Sequence, residues 1–178
     1  MPSPTCRAGL VSDSHGLHDP KLEALFAGYD VVLHAGDIVK PAVLDALGRV
    51  APVRAVRGNN DLGPSFAALP EALVEAVGPL TALVIHDLGA RGRPAPAART
   101  LIARHRPQVV VHGHSHRPGA AVVDGRLLVN PGAAGPRRFS LPRTAAVLEV
   151  RGRHARVTWH DLAGEALAPY GEPIEAEL

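Results

Sequence analysis

Residues 31–37, Val31-Val32-Leu33-His34-Ala35-Gly36-Asp37, run from an unbroken apolar stretch into a glycine and a carboxylate. A run this short, bounded by turn residues, reads as a buried strand that ends in a glycine-bearing loop carrying Asp37. The same order of features recurs on both sides. Upstream, the apolar run Arg7 to Val11 ends in Ser12-Asp13-Ser14-His15-Gly16; downstream, Val53 to Val56 ends in Arg57-Gly58-Asn59-Asn60-Asp61. Between these runs, Leu22, Leu25 and Phe26 fall at helical spacing, and Pro41 opens a segment in which Val43, Leu44 and Leu47 do the same. Strand alternating with helix predicts an α/β sheet, whose strand carboxyl ends are where loops converge and ligands bind.

Farther along, the pattern changes to hairpins. Ala72 to Val77 and Thr81 to His86 flank Gly78-Pro79-Leu80, and Ala120 to Val123 and Arg126 to Val129 flank Asp124-Gly125, a pair suited to a tight turn. Ala95 to Arg106 reads as a helix stopped by Pro107. Val109-Val110-Val111 reads as a buried strand running into His112-Gly113-His114-Ser115-His116, and residues 144–160 hold one more strand pair around Gly152. Residues 163–178, with Pro169 and Pro173, read as a loosely packed acidic tail. No repeat and no boundary breaks the pattern, so residues 1–178 are expected to form one domain of mixed sheets.

Composition narrows the class. The chain has 178 residues, 46% hydrophobic and 20% charged, which is enough for a core and too apolar for a disordered protein. No apolar run approaches the roughly 20 residues of a membrane span, and Met1 to Leu10 lacks the form of a signal peptide. A cytoplasmic protein with no membrane partner is therefore expected. The single cysteine, Cys6, rules out an internal disulfide and a thiolate metal cage, and is expected to pack as a small hydrophobe. Ten histidines beside two lysines are the oddest count, and histidine is the commonest metal ligand. Net charge is +7 over residues 1–160 (19 bases less 12 acids) and −5 beyond them. The basic body suits phosphate-bearing ligands, although arginine is simply abundant in this chain.

The strand ends together carry Asp13, His15, Asp37, Asn59, Asn60, Asp61, His86, His114 and His116. Singly these are common residues. Together they supply carboxylate, imidazole and amide groups, a donor set suited to Mn, Fe, Zn or Ni rather than soft copper.

The ordered set Asp-x-His, Gly-Asp, Gly-Asn-x-Asp, His and Gly-His-x-His, from about Gly9 to Val150, resembles the calcineurin-like metallophosphoesterases. Within them, Leu33 to Ile38, Val56 to Asp61 and Val129-Asn130-Pro131-Gly132 are similar to the small, uncapped phosphodiesterases of bacteria and archaea. The resemblance implies a four-layer αββα sandwich and a centre of two divalent metal ions, manganese first, with nickel, zinc or iron as alternatives. One metal is then held by Asp13, His15 and His116 and the other by Asn59, His86 and His114, with Asp37 bridging; His114 and His116 are expected to project to one side of an extended segment. Asp37, Asn59 and His86 are also the implied catalytic residues. A hydroxide shared by the two ions would attack the phosphorus of a small phosphodiester, for which nucleotides are candidates.

Two positions depart from the family pattern. Asn60 stands where many members carry a histidine that protonates the leaving group, and an amide is no general acid. Activated diesters are therefore expected to react faster than alkyl monoesters. Asp87 follows His86 where glycine is usual, and either orients His86 or begins a loop. Asn60 and His18 are the candidate substrate contacts. Asn130 and nearby Arg137 could touch the substrate phosphate, but shaping the turn is the favoured role of that loop; His34 and His112 are read as packed histidines; His105, His154 and His160 as surface or edge residues. Three alternatives stand beside the phosphodiesterase: a non-catalytic scaffold of the same fold, as in eukaryotic membrane-trafficking coats, a phosphomonoesterase, and a nuclease. With few aromatic residues to stack bases, nucleic acid is the less favoured partner, and a homo-oligomer is compatible with the sequence.

Overall fold

The computed structural model describes residues 5–90 and 93–178. Three short parallel strands, β1 (Cys6–Val11), β2 (Val31–His34) and β3 (Val53–Ala55), are joined by crossovers that contain α1 (Lys21–Phe26) and α2 (Ala42–Gly48). The hairpin of β4 (Ala72–Val77) and β5 (Leu80–Ile85) follows, then α3 (Pro96–His105) and β6 (Val109–Val111). A second hairpin, β7 (Gly119–Val123) with β8 (Arg126–Asn130), precedes three strands that return to the beginning of the chain: β9 (Thr144–Arg151), β10 (His154–Asp161) and β11 (Ala168–Glu177).

Two mixed sheets result, one ordered β11-β10-β9-β1-β2-β3 and the other β4-β5-β6-β8-β7. Alternation along each strand stacks them. Leu10, Leu33, Val84, Val111, Val129, Leu148 and Trp159 meet in the core between the sheets. Their neighbours Val11 and Val32 point the other way, onto Leu22 and Phe26 of α1 and Leu47 of α2. Leu83, Ile85 and Val110 likewise face Ala98, with Leu101 and Ile102 of α3 packed alongside. Strands buried on both faces read as continuous apolar runs, as β2 and β6 do. The layers are thus helix, sheet, sheet, helix, the expected αββα sandwich. No helix among the described residues is long and apolar enough to cross a membrane.

The expectation of a loose tail from residue 163 is corrected. Residues Ala168–Glu177 form edge strand β11, antiparallel to β10. Ala176 and Leu178 are buried and Ile174 packs on the same core, while Glu175 pairs with His154 and Arg156 of β10. The prolines misled the reading because an edge strand tolerates them. A register shift between Val157 and Trp159 takes up the irregularity.

His34, at the end of β2, is a fully buried core histidine. Its Nδ1 accepts the Gly36 N–H at 3.2 Å, so Nε2 carries the proton that faces Ser14 Oγ at 3.1 Å. Burial lowers the pKa of His34, and likewise that of His112 just past β6, to about 4. Both rings are therefore neutral in the folded protein while the unfolded chain takes up protons below about pH 6.5. The metal-free protein is predicted to be fully stabilised by these rings above pH 6.5 and to lose on the order of 3 kcal/mol per ring as the pH falls towards 4. Urea denaturation across that range checks this; a flat stability profile would contradict it.

Candidate metal centre

The loops that leave β1, β2, β3, β5 and β6 converge at one edge of the sandwich, tied by backbone bonds such as Asp13 N to Gly36 O, His15 N to Asp37 O and Gly113 N to His86 O, at 2.9 to 3.0 Å. The turns are tight. Asp13, His15, Asp37, His114 and His116 all have positive φ, from 43° to 66°, a left-handed conformation that non-glycine residues adopt at a cost of order 1–3 kcal/mol each. His114 and His116 are therefore not in the extended segment expected for them; both are left-handed, and their rings face different partners.

Side chains behind the loops hold these turns. The buried Asp61 carboxylate accepts the N–H groups of Ile38 and Val39 at 2.7 Å and of Gly58 at 2.8 Å, which locks the β2 loop onto the β3 loop. A side chain on Gly58 would collide with the Asp37 carboxylate, so this close approach requires glycine. Asp13 Oδ2 accepts from His114 N at 3.0 Å and from the Ser12 hydroxyl. Asn130 donates to Gly113 O at 2.9 Å and accepts from Gly132 N at 2.8 Å, shaping its own turn.

All seven expected donors come together, in two groups. In the first, His116 Nε2 lies 3.2 Å from Asp13 Oδ1 and 3.3 Å from His15 Nε2. In the second, Asn59 Oδ1 is 3.1 Å from both His86 Nε2 and His114 Nδ1, which are 3.3 Å apart. Asp37, nearly fully buried, stands between the groups, with Oδ2 3.7 Å from His15 Nε2 and Oδ1 3.5 Å from His86 Nε2. Ligand atoms of Asp13, His15 and His116, and separately of Asp13, Asp37 and His86, lie within 4.8 Å of one another.

The protonation pattern fits cations. His86 Nδ1 faces the Ala35 carbonyl at 2.7 Å and must donate to it, so Nε2 offers a lone pair to the cluster. Asp13 Oδ1 is buried with no hydrogen-bond donor. Burial opposes ionisation of Asp13, but its contacts with His116 and the Ser12 hydroxyl outweigh this and hold the carboxyl below its ordinary range. Burial, then the charge of Arg138, holds the His15 imidazole below its usual pKa. Carboxylate oxygens and ring nitrogens that converge at this spacing match a site for divalent first-row ions.

The two candidate substrate contacts fare differently. Asn60 is at the cluster and grips Asp37, donating its backbone N–H to Oδ1 at 2.9 Å and its side-chain N–H to Oδ2 at 2.6 Å. His18 is turned to α1, its Nε2 2.7 Å from Glu23 Oε1, outside the seven-residue cluster. Asp87 begins a loop, accepting Gly89 N–H at 2.8 Å; the carbonyl of Ala35 is what orients His86. Arg138, which no motif singles out, reaches the site, with Nη2 donating to His15 Nδ1 at 3.4 Å. Asp61 was visible only as the last letter of a motif, and its role as a staple required the loop geometry.

Comparison with known proteins agrees with this arrangement. A profile of the calcineurin-like phosphoesterase superfamily domain matches residues 7–153. A probable metallophosphoesterase of Methanothermobacter thermautotrophicus is 29% identical over 150 residues, covering 81% of this chain and 86% of the relative. Another, from Bacillus subtilis, is 29% identical over 168 residues, covering 89% and 92%. Among solved structures, a phosphoesterase-like protein of Streptococcus pneumoniae superposes with a TM-score of 0.76 at 23% identity, covering 97% of both chains. Vacuolar Protein Sorting 29 from Cryptosporidium parvum gives 0.81 at 18% identity, covering 98% and 99%, a likeness of fold alone. With the family profile spanning most of the sequence, the chain belongs to the calcineurin-like phosphoesterase superfamily and is a metal-dependent phosphoesterase.

Proposed function

We propose that this chain hydrolyses small phosphodiesters at a two-cation centre. Asp13, His15 and His116 hold one ion and Asn59, His86 and His114 the other, with Asp37 shared between them. The observation that carries the reading is the position of the Asp37 carboxylate, one oxygen towards each group of donors. Divalent ions bound there supply Lewis acidity to the phosphoryl oxygens and acidify water to near neutral pH. Manganese is the first ion to try.

The residues themselves do the positioning. Asn60 holds Asp37 through both of its N–H donors, so the carboxylate keeps its orientation. Ala35 keeps the proton of His86 on Nδ1 and away from the centre. If His15 Nε2 held an ion, that ring's proton would sit on Nδ1, which could then not accept from Arg138; the guanidinium would be free, and its fork suits a phosphoryl oxygen.

None of these groups is a good acid for an alkoxide leaving group. Asn60 is an amide, and His86 donates its only proton to a backbone carbonyl. Substrates with stable leaving anions are favoured for that reason, as are diesters, which carry less charge into a site already holding two carboxylates. The scaffold alternative draws on the likeness to Vacuolar Protein Sorting 29; against it stands the complete donor set.

With Mn²⁺, bis-p-nitrophenyl phosphate is expected to be cleaved with a kcat/KM at least about 100-fold above that for glycerol 2-phosphate, a gap of about 2.7 kcal/mol. Equal or reversed values would contradict the proposal. Asp37→Asn removes the shared charge while keeping the side chain's shape, and is expected to reduce both bound metal and kcat by about 100-fold or more. Metal analysis and diester hydrolysis check this together; wild-type values for both would rule out the bridging role.

A further inference from the structure

A cavity of about 370 Å³ opens beside Asn59, His86 and His114 and is not used by the chemistry above. Its size falls at the small end of ligand-binding cavities, about 300–1,000 Å³. The inner wall is apolar, made by Ile85 at the end of β5 and by Ala97, Ala98 and Leu101 of α3. Ala97 and Ala98 stand four and three residues before Leu101 and so share one helix face with it. Ile85 and Ala98 belong to the outer core, with Leu101 packed on it, so the wall is preformed.

The mouth is charged. Arg57 Nη2 donates to Glu71 Oε1 at 2.6 Å, and this pair cancels. The Asp87 carboxylate, also at the mouth, is exposed, and one of its oxygens accepts the Gly89 N–H. The rim therefore carries a net negative charge over an apolar floor.

We propose that this cavity receives the organic arm of the phosphodiester, and that the arm is an uncharged ring, an aryl group or a nucleobase. The proposal rests on the two-cation reading above, because Asn59, His86 and His114 line the cavity and, in that reading, also hold one of the two ions that would bind the phosphoryl group. A flat ring gains by leaving water for the wall of Ile85, Ala97 and Leu101. An N–H on its edge finds acceptors in Glu71 and Asp87. An anionic arm, such as a second phosphate or a further stretch of nucleic acid, meets Asp87, the rim carboxylate that Arg57 does not neutralise, and is repelled.

Calorimetric binding of three phosphonates to the Mn²⁺-loaded protein tests this without turnover. Phenylphosphonate is expected to bind at least about tenfold more tightly than methylphosphonate, a difference of about 1.4 kcal/mol. 4-Carboxyphenylphosphonate is expected to bind no more tightly than methylphosphonate. Ala97 is exposed, so Ala97→Trp fills the cavity without entering the core; it is expected to abolish the phenyl preference and leave methylphosphonate affinity unchanged. Equal binding of phenyl and methyl compounds to the wild type, a gain retained by the carboxyphenyl compound, or an undiminished phenyl preference in Ala97→Trp would each overturn the proposal. If methylphosphonate itself does not bind, the two-cation reading fails and this proposal falls with it; if it binds and the ring adds nothing, only the cavity assignment falls.

Discussion

A buried carboxylate, Asp37, stands between two groups of ring nitrogens, and much of the surrounding structure exists to keep it there. Its backbone is left-handed at φ 56°, its oxygens are gripped by Asn60, and a side chain on Gly58 would displace it. Asp61 binds the loop after Asp37 to the loop that carries Asn59 and Asn60. Carboxylates and imidazoles packed this closely form a donor set suited to cations shared among them. The αββα layers provide the rigidity that such an arrangement needs, since both sheets are buried on both faces where the site-bearing loops emerge.

Much of this was legible in the sequence. Short apolar runs such as Val31–His34 and Val109–Val111 could only be buried strands, and a donor at the end of each run was visible letter by letter. What could not be read was conformation. His114 and His116 are both left-handed rather than extended, with one ring towards Asn59 and His86 and the other towards Asp13 and His15. Nothing in an Asp-x-His pattern announces a positive φ. The staple made by Asp61 and the approach of Arg138 to His15 also depend on loop geometry rather than on spacing.

The last strand shows the opposite failure. Pro169, Gly171 and Pro173 suggested irregular chain, yet Ile174, Ala176 and Leu178 alternate with Glu175 and Glu177 and close the sheet against β10. The −5 charge that looked like a free acidic tail is partly neutralised there by Arg156. Charge at the mouth of the cavity beside α3 has a different consequence. A basic chain would draw in phosphates generally, but in the arrangement we propose for that cavity Asp87 selects against a second anion.

Position of the ions is the most direct test of the central claim. Crystals grown with Mn²⁺ and measured at its absorption edge should give two anomalous peaks about 3.5–4 Å apart. One should lie among Asp13, His15 and His116, the other among Asn59, His86 and His114, with Asp37 touching both. A single peak, or two peaks that do not share Asp37, would contradict the account.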